Sequence, residues 1–269
     1  MNVALFGGTF DPVHLGHLAV ARAARQRFHL DMIYFVPAGT PPHKSQQPIT
    51  PYHHRYAMLA LATQGEKRFI VSGLESPEQA KSAGRANYSI DTVRRFKQVL
   101  KPTDRLFFLI GIDAFMEIST WRQPEALLRE CEFVVISRPG FSLADIGNAL
   151  PERLRPPAEV VGAMKKHAAL GDIVLQGVTL HVVEGVHENV AATQVRTAAA
   201  QGRSLSRYVP AAVEEYIKKE RLYRFTAGAR CSRLSPEPGV SRPTGHGESS
   251  RRLHLVHGGR GARGHAEER

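Results

Sequence analysis

Two histidines, His14 and His17, lie three positions apart shortly after a pair of adjacent glycines, Gly7 and Gly8. On a helix, that spacing places both imidazole groups on one face, where they can point at the same ligand. Glycine lets the backbone turn sharply beside a ligand, and a helix N-terminus offers N–H groups and a positive dipole end to phosphate. The pattern predicts a site that stabilises negative charge on a polyphosphate during group transfer.

Taken singly, these features also have ordinary explanations. A Gly-Gly turn can be a tight strand-to-helix connection, and two histidines at this spacing can cap a helix or bind a metal. The complete string Gly7–His17, with the sequence GGTFDPVHLGH, resembles the signature of the nucleotidyltransferase superfamily, whose His-x-Gly-His element contacts ATP or CTP phosphates. The resemblance implies ATP contacts for Gly7, Gly8, Thr9, Phe10 and His17, catalytic roles for His14 and His17, and a substrate contact for Asp11.

Further segments look like one branch of that superfamily, the nicotinate-nucleotide adenylyltransferases. Pro41–Lys44 resembles the family's Pro-Pro-His-Lys element, and Asn87–Val93 is similar to its Tyr-Thr-Ile-Asp-Thr segment. Gly111–Asp113 matches a Gly-x-Asp element, and Ser137–Gly140 matches a later corner. The resemblance implies that the acceptor mononucleotide contacts Lys44, Ser89, Trp121, Arg122 and Arg138, and that ATP contacts Gly111 and Asp113.

The residue types at these positions allow both ligand contacts and plainer roles. Trp121 stacks on the pyridine ring in relatives, and an indole face suits an electron-poor or cationic ring; without the resemblance it would be a partly buried core residue. Lys44 could be a surface lysine, whereas Ser89 and Asp113 could cap helices. For Ser89, capping and a contact to the nicotinate carboxylate can hold together.

The last motif departs from the family pattern. Where the family usually has Ile-Ser-Ser-Thr-x-Ile-Arg, this chain has Val190-Ala191-Ala192-Thr193-Gln194-Val195-Arg196. We expect Thr193 to cap the helix that follows and Arg196 to reach an ATP phosphate, and the resemblance implies that Thr193 also contacts ATP. Two hydroxyl donors are missing, and each such hydrogen bond is worth about 1 kcal/mol. Weaker ATP binding is therefore expected, not an inactive site.

The elements that position these motifs follow from alternating apolar runs and helical patterns over residues 1–224, which are typical of βαβ units. The predicted fold is α/β, a Rossmann-like, doubly wound, mostly parallel sheet with helices on both faces, and the loops after its strands share one ligand-binding edge. Strands are predicted at Val3–Phe6, Met32–Val36, Phe69–Leu74, Arg105–Ile110, Phe133–Ser137 and Val178–Glu184. Helices are predicted at Leu15–Phe28, Tyr52–Thr63, Ile90–Leu100, Pro124–Glu130, Thr193–Gln201 and Pro210–Arg221.

Two stretches stand apart from this pattern. Residues 139–177 are rich in proline and small residues and are predicted to be an insertion, with a helical patch around Ala163–Leu170 and no chemistry. Residues 225–269 have few large apolar side chains and are predicted to be a disordered basic tail. The domain prediction is thus an adenylyltransferase domain over residues 1–224, followed by that tail.

Composition limits the class of protein. The chain has 269 residues, of which 42% are hydrophobic, and its only cysteines are Cys131 and Cys231, which excludes a disulfide framework. With no basic leader and no run of roughly 20 apolar residues, we expect a cytoplasmic protein without a membrane partner. The net charge of +11 favours polyanionic ligands; nucleotides are expected here, and no nucleic acid.

The resemblance implies that this chain transfers the adenylyl group of ATP to nicotinate mononucleotide, giving deamido-NAD and pyrophosphate in NAD biosynthesis. The mononucleotide phosphate is itself the nucleophile, so catalysis needs positioning and charge neutralisation by His14, His17 and Arg196, with Mg²⁺ bound through the ATP phosphates and no protein ligand to the metal. Two alternatives stay open. One is another superfamily enzyme, a phosphopantetheine adenylyltransferase or a cytidylyltransferase; the other is a non-catalytic nucleotide- or RNA-binding protein.

Overall fold

The structure is a computed structural model that describes residues 1–39, 49–79, 87–138, 140–165, 171–184 and 190–224. The chain divides into two units, Met1–Phe225 and Thr226–Arg269, and every described residue belongs to the first. Two sequence predictions therefore lie outside the described residues: the disordered tail and the position of Lys44.

A seven-stranded sheet occupies the centre of the described region, in the order β3-β2-β1-β4-β5-β7-β6. All neighbouring strands are parallel except the antiparallel pair of β6 and β7. The strand order reverses between β1 and β4, which is where ligands bind in open α/β sheets. The strands are β1 (Asn2–Gly8), β2 (Met32–Pro37), β3 (Phe69–Val71), β4 (Arg105–Gly111), β5 (Glu132–Ser137), β6 (Gly171–Leu175) and β7 (Val178–Glu184).

Helices cover both faces of the sheet, as the strand β1 illustrates. Its Val3 and Leu5 belong to one buried apolar cluster, whereas Ala4 and Phe6 belong to another on the opposite face, because successive side chains of a strand alternate between faces. The Rossmann-like prediction is thereby confirmed. The described helices are α1 (Leu15–Phe28), α2 (Tyr52–Ala62), α3 (Ser89–Lys97), α4 (Ile112–Phe115), α5 (Pro124–Glu130), α6 (Leu143–Ala149), α7 (Ala158–Met164), α8 (Ala192–Ala200) and α9 (Ala211–Lys219), with 3₁₀ turns at Ile118–Thr120 and Glu152–Leu154.

Helix length and composition also bear on membrane association. Of the helices in the ranges given above, none is both long enough and apolar enough to cross a bilayer.

The predicted insertion is built differently from the expectation. Residues 140–165 contain α6 and α7; the predicted helical patch begins within the end of α7, and its residues 166–170 lie outside the described ranges. The strand β6 was not predicted; it pairs with β7 through a two-residue loop, Gln176-Gly177, in which both residues have positive φ values of 43° and 81°. That conformation is what a tight hairpin turn requires. The exposed edge position of β6, where Val174 is 70% accessible, weakened the sequence pattern.

Two predicted helix caps are wrong. Tyr88, with φ −111° and ψ 145°, precedes α3, so Ser89 is the first residue inside that helix. Ala191 precedes α8 in a similar extended conformation, and its N–H donates to Oε1 of Gln194 at 2.9 Å, so Thr193 lies in the first turn. The cap position needs extended backbone geometry, which side-chain type alone does not determine. Neither hydroxyl serves as the helix cap.

Candidate active site

A cavity of about 380 Å³ opens at the carboxyl ends of β1, β2 and β4. We call it the central cavity. Several predicted site residues line it, but His14, His17 and Arg196 are not among its lining residues. The predicted site residues that line it are Gly7, Gly8, Thr9, Ser89, Gly111, Trp121 and Arg122.

Residues 9–14 connect β1 to α1, and we call them the β1 loop. The conformation of this loop depends on close packing against the core. A Cβ atom on Gly8 would lie 3.1 Å from the ring of Phe10, so a larger residue would have to displace that ring. Phe10 has a positive φ of 49° and is only 2% exposed, with its ring against those of Phe6 and Phe35. The phenyl group of this predicted ATP ligand therefore supports the loop from the core, and only its main chain can face a nucleotide.

His14 and His17 meet, but in a different arrangement from the one expected. His14 is the extended residue that precedes α1, and its ring stacks on that of His17 with centroids 3.7 Å apart. The main-chain N–H of His14 donates to Nδ1 of His17 at 3.2 Å. A neutral His17 therefore carries its proton on Nε2, where it is a hydrogen-bond donor.

Burial makes this pair electrically neutral. It lowers the pKa of His14 to about 4. Burial, together with the neighbouring His14, lowers the pKa of His17 well below 6.5. Nδ1 of His14 is buried and forms no hydrogen bond within the described part of the chain. Near neutral pH the β1 loop thus presents imidazole groups, not imidazolium ions.

Asp11 is only 7% exposed, and donors of the protein itself occupy its carboxylate. The Tyr223 hydroxyl donates to Oδ1 at 2.7 Å across 212 positions of sequence, and the N–H of Thr50 donates to Oδ2 at 3.2 Å. Burial raises the pKa of Tyr223 far above its usual value, so the phenol remains a donor. The carboxylate of Asp11, predicted to contact the substrate, therefore forms hydrogen bonds within the protein that connect separate segments of the site.

Arg196 reaches the same loop from α8. Its Nη1 donates to the main-chain carbonyl of Asp11 at 2.6 Å, and its Nη2 donates to Oγ1 of Thr193 at 3.2 Å. The guanidinium group is half-buried. The two predicted phosphate ligands of the last motif are therefore held together, one turn of helix apart, beside the loop that carries His14.

The opposite wall of the central cavity is aromatic. Trp121 and Tyr88 line it, and the guanidinium carbon of Arg122 lies 4.7 Å from the centroid of the Tyr88 ring. A cation over an aromatic face is attracted by the ring quadrupole, so Tyr88 stabilises this position of Arg122. From the sequence, Tyr88 was included only in the segment Asn87–Val93, and this contact was not predicted.

Asp113 and Arg138 are brought together outside the cavity wall. Nη2 of Arg138 donates to Oδ1 of Asp113, and both side chains are more than half exposed. The sequence assigned these residues to different ligands. Their positions after β4 and β5, at neighbouring strand ends, explain why they pair.

Arg55 was missed by the sequence analysis although it joins three loops of the site. Its side chain is 1% exposed and donates to the main-chain carbonyls of Thr50 at 2.8 Å, Thr9 at 2.7 Å and Ala38 at 2.7 Å, with a longer bond to Gly39 at 3.3 Å. A signal was present in the sequence. Arg55 occupies a position on the buried stripe of α2, together with Met58, Leu59 and Ala62, where an unshared charge would be costly.

Over the described ranges, no group of three or more His, Cys, Asp or Glu side chains is arranged to hold a metal ion.

Comparison with known proteins decides the family. A family model described as cytidylyltransferase-like matches residues 5–200. Two curated relatives, each named a probable nicotinate-nucleotide adenylyltransferase, come from Pelobacter propionicus, at 36% identity, and Geobacter sulfurreducens, at 38% identity; each match covers 83% of this chain and 98% of the relative. This chain belongs to the nicotinate-nucleotide adenylyltransferase family. Membership of this family favours the main prediction over both alternatives that the sequence had left open.

A solved structure adds support for the fold. The chain is similar to the Plasmodium falciparum nicotinic acid mononucleotide adenylyltransferase complexed with NaAD, with a TM-score of 0.56 and 16% identity. The match covers 82% of this chain and 97% of the other. At this identity the likeness shows a shared fold.

We predict that Arg55 contributes to catalysis beyond its effect on stability. Arg55→Lys keeps the charge, but all the donors of lysine are on one nitrogen atom and cannot reach three carbonyl groups that lie around a planar guanidinium group. The loops at Thr9 and Ala38 should therefore shift. A displacement of roughly 1 Å in positioned groups can lower the rate by about a hundredfold, and we expect a fall in kcat/KM of that order. Urea unfolding and steady-state kinetics measure the two effects.

A matched control comes from the same helix. Met58 is 0% exposed and belongs to the core cluster beneath α2, so Met58→Ala should destabilise the fold by about 2–5 kcal/mol with a much smaller effect on kcat/KM. If both variants lose kcat/KM in proportion to their loss of stability, Arg55 acts through stability alone.

We predict that acid weakens the fold through the buried histidines. The pKa of His14 is about 4 when folded and about 6.5 when unfolded, so the unfolded state binds more protons between these values. The contribution of His14 to the free energy of unfolding should be highest above about pH 6.5 and fall by roughly 3 kcal/mol as the pH drops to about 4. Glu75, whose pKa is raised, acts in the opposite direction over this range, so the contribution of His14 is the difference between the wild type and a variant without this imidazole. Urea titrations across that range measure it. The variant His14→Asn should lose part of this slope; an unchanged slope would contradict the assignment.

Proposed function

We propose that this chain transfers the adenylyl group of ATP to nicotinate mononucleotide, forming deamido-NAD and pyrophosphate in NAD biosynthesis. One observation carries the proposal: the two glycines that end β1 line the same cavity as Trp121. ATP held by its phosphates at the glycine loop and a mononucleotide held by its pyridine ring at the indole would therefore share one cavity. Membership of the family supports the same chemistry.

The reaction needs no nucleophile from the protein. A phosphate oxygen of the mononucleotide attacks the α-phosphorus of ATP, a new P–O bond forms, and the bond from the α-phosphorus to the bridging oxygen breaks as pyrophosphate leaves. Catalysis is then a matter of alignment and of stabilising the charge that moves to the leaving group. Gly7, Gly8 and Thr9 suit the first task because their main chain lies in the cavity wall.

His14, His17 and Arg196 are the groups we assign to charge stabilisation. Nε2–H of the neutral His17 can donate to a phosphate oxygen. Arg196 adds a permanent positive charge, and its fork has five N–H donors, of which two are used within the protein. Phosphate binding should raise the pKa of both histidines, since an opposite charge favours the protonated form.

Mg²⁺ enters this proposal as part of the ATP substrate. The ion prefers several water and phosphate oxygens and few protein ligands, and the described residues offer no cluster of ligating side chains, so the site fits a metal held by the ATP phosphates. When bound there, the ion neutralises charge on the leaving pyrophosphate.

At the acceptor end we assign the pyridine ring to Trp121 and its carboxylate to Ser89 and Arg122. Lys44 and Arg138 are further proposed contacts to the mononucleotide, and Gly111, Asp113 and Thr193 to ATP. Asp113 and Arg138 can exchange their exposed ion pair for a ligand at little cost, because such pairs are worth about 0–1 kcal/mol. Asp11 is reassigned from substrate contact to positioning, since both of its carboxylate oxygens are occupied.

The proposed catalytic domain comprises residues 1–224, because every assigned residue lies within them. ATP and a pyridine mononucleotide are the proposed partners, and a cytoplasmic location follows from where these substrates are used. Neither a membrane nor a nucleic acid takes part in the proposed reaction.

The decisive assay measures pyrophosphate release by the full chain with ATP and Mg²⁺, using nicotinate mononucleotide, nicotinamide mononucleotide and phosphopantetheine in parallel. We expect release that is fastest with nicotinate mononucleotide. Release only with phosphopantetheine, or no release with any of the three acceptors, would contradict the proposal. In the same assay His17→Ala should lower kcat by about a hundredfold; an unchanged kcat would remove His17 from the mechanism.

We predict that restoring the family serines strengthens ATP binding. The double substitution Ala191→Ser and Ala192→Ser adds two hydroxyl donors at the start of α8, each worth about 1 kcal/mol, so KM for ATP should fall by roughly thirtyfold while KM for the mononucleotide stays the same. Ala200→Ser places the same group at the other end of α8 and is the control. Equal KM values for ATP in the wild type and the double variant would exclude these positions from ATP binding.

A further inference from the structure

Glu75 lies in the loop after β3 and lines the central cavity together with Tyr88, Ser89 and Thr92. It was not singled out by the sequence analysis and takes no part in the mechanism above. The Thr92 hydroxyl donates to Oε1 of Glu75 at 2.8 Å, and the main-chain N–H of Gly39 also donates to the carboxylate.

The position of Glu75 is fixed from several sides. Nδ2 of Asn87 donates to its main-chain carbonyl at 3.1 Å. A Cβ atom on Gly39 would lie 2.1 Å from that same carbonyl oxygen, so only glycine permits this approach of the two loops. A carboxyl group held in this way has a defined position in the cavity wall.

The carboxyl group of Glu75 changes its ionisation state near neutral pH. Burial raises the pKa of Glu75 to about 7, although the hydrogen bonds from Thr92 and Gly39 and the positive charges of Arg95 and Arg55 act in the opposite direction. Arg95 donates to the Leu74 carbonyl, and Arg55 to the carbonyls already described. Among the described residues, the other ionisable groups around this wall are Tyr52, Tyr88, Glu117 and Arg122.

Glu75 is also close to the proposed position of the pyridine substituent. Thr92 and Ser89 are three residues apart on α3 and therefore share a face of that helix. A carboxyl group bonded to Thr92 thus lies within about one helical turn of Ser89, where the nicotinate carboxylate is assigned. Two carboxylates so placed repel each other unless one is protonated.

We propose that Glu75 is a specificity-determining residue that reads the charge of the pyridine substituent: its neutral form admits the acid mononucleotide, and its ionised form favours the amide. The inference rests on the proposed function. A neutral carboxyl group can donate a hydrogen bond to the nicotinate carboxylate, whereas a carboxylate can accept one from the amide NH₂ group. Binding of the acid keeps a proton on Glu75, and binding of the amide does not.

The test is the ratio of kcat/KM for nicotinate mononucleotide to kcat/KM for nicotinamide mononucleotide, measured from about pH 6 to about pH 8.5. Titration of groups that act on both substrates, such as the histidines and the substrate phosphate, cancels in this ratio. For the wild type we expect the ratio to fall by about tenfold, since a like charge that shifts a pKa by one unit changes relative binding tenfold. In Glu75→Gln, which stays neutral and keeps an oxygen acceptor, the ratio should be flat.

A second variant tests the same idea without changing the carboxyl group. Thr92→Val removes a hydrogen bond that favours the ionised form, so the pKa of Glu75 should rise and the fall in the ratio should move to higher pH. A flat wild-type ratio, an equal slope in Glu75→Gln, or an unmoved midpoint in Thr92→Val would each overturn the proposal. Failure of the proposed function would be seen separately, as a wild type that releases pyrophosphate with neither mononucleotide.

Discussion

The rest of the site depends on the hydrogen bonds that the buried guanidinium group of Arg55 donates. A buried charge is costly unless its donors are satisfied, and here they are satisfied by main-chain carbonyls of separate segments. Those carbonyls belong to the loops after β1 and β2 and to the residue two positions before α2. These hydrogen bonds offset the cost of burying the charge. They also set the distance between the two ligand-binding loops before any ligand binds, so the site is preorganised.

A second set of contacts holds the β1 loop from the far end of the chain. Asp11 binds Tyr223 and Thr50 with its carboxylate, and its carbonyl accepts from Arg196. The last described part of the chain is thus attached to the glycine loop by two contacts that span 185 and 212 positions of sequence. Substrate phosphates entering between these elements would meet groups whose positions are already determined.

The electrostatic character of the site is set by burial. The imidazole groups of His14 and His17 are held neutral, and the carboxyl group of Glu75 is held close to its neutral form. Permanent charge comes from arginines at the margins, including Arg196 and Arg122. A nucleotide therefore brings most of the charge into the cavity itself, and proton positions can respond to it.

The sequence by itself determined the sheet, the bounds of elements such as α1 and β7, and the family, because apolar periodicity and one contiguous motif are local properties. It did not determine the hairpin at Gln176-Gly177 or the caps before α3 and α8, which depend on backbone conformation at single residues. Arg55 and the Asp11–Tyr223 contact were also beyond it. Their roles arise between segments far apart in the chain, and only the tertiary structure decides which donor meets which acceptor.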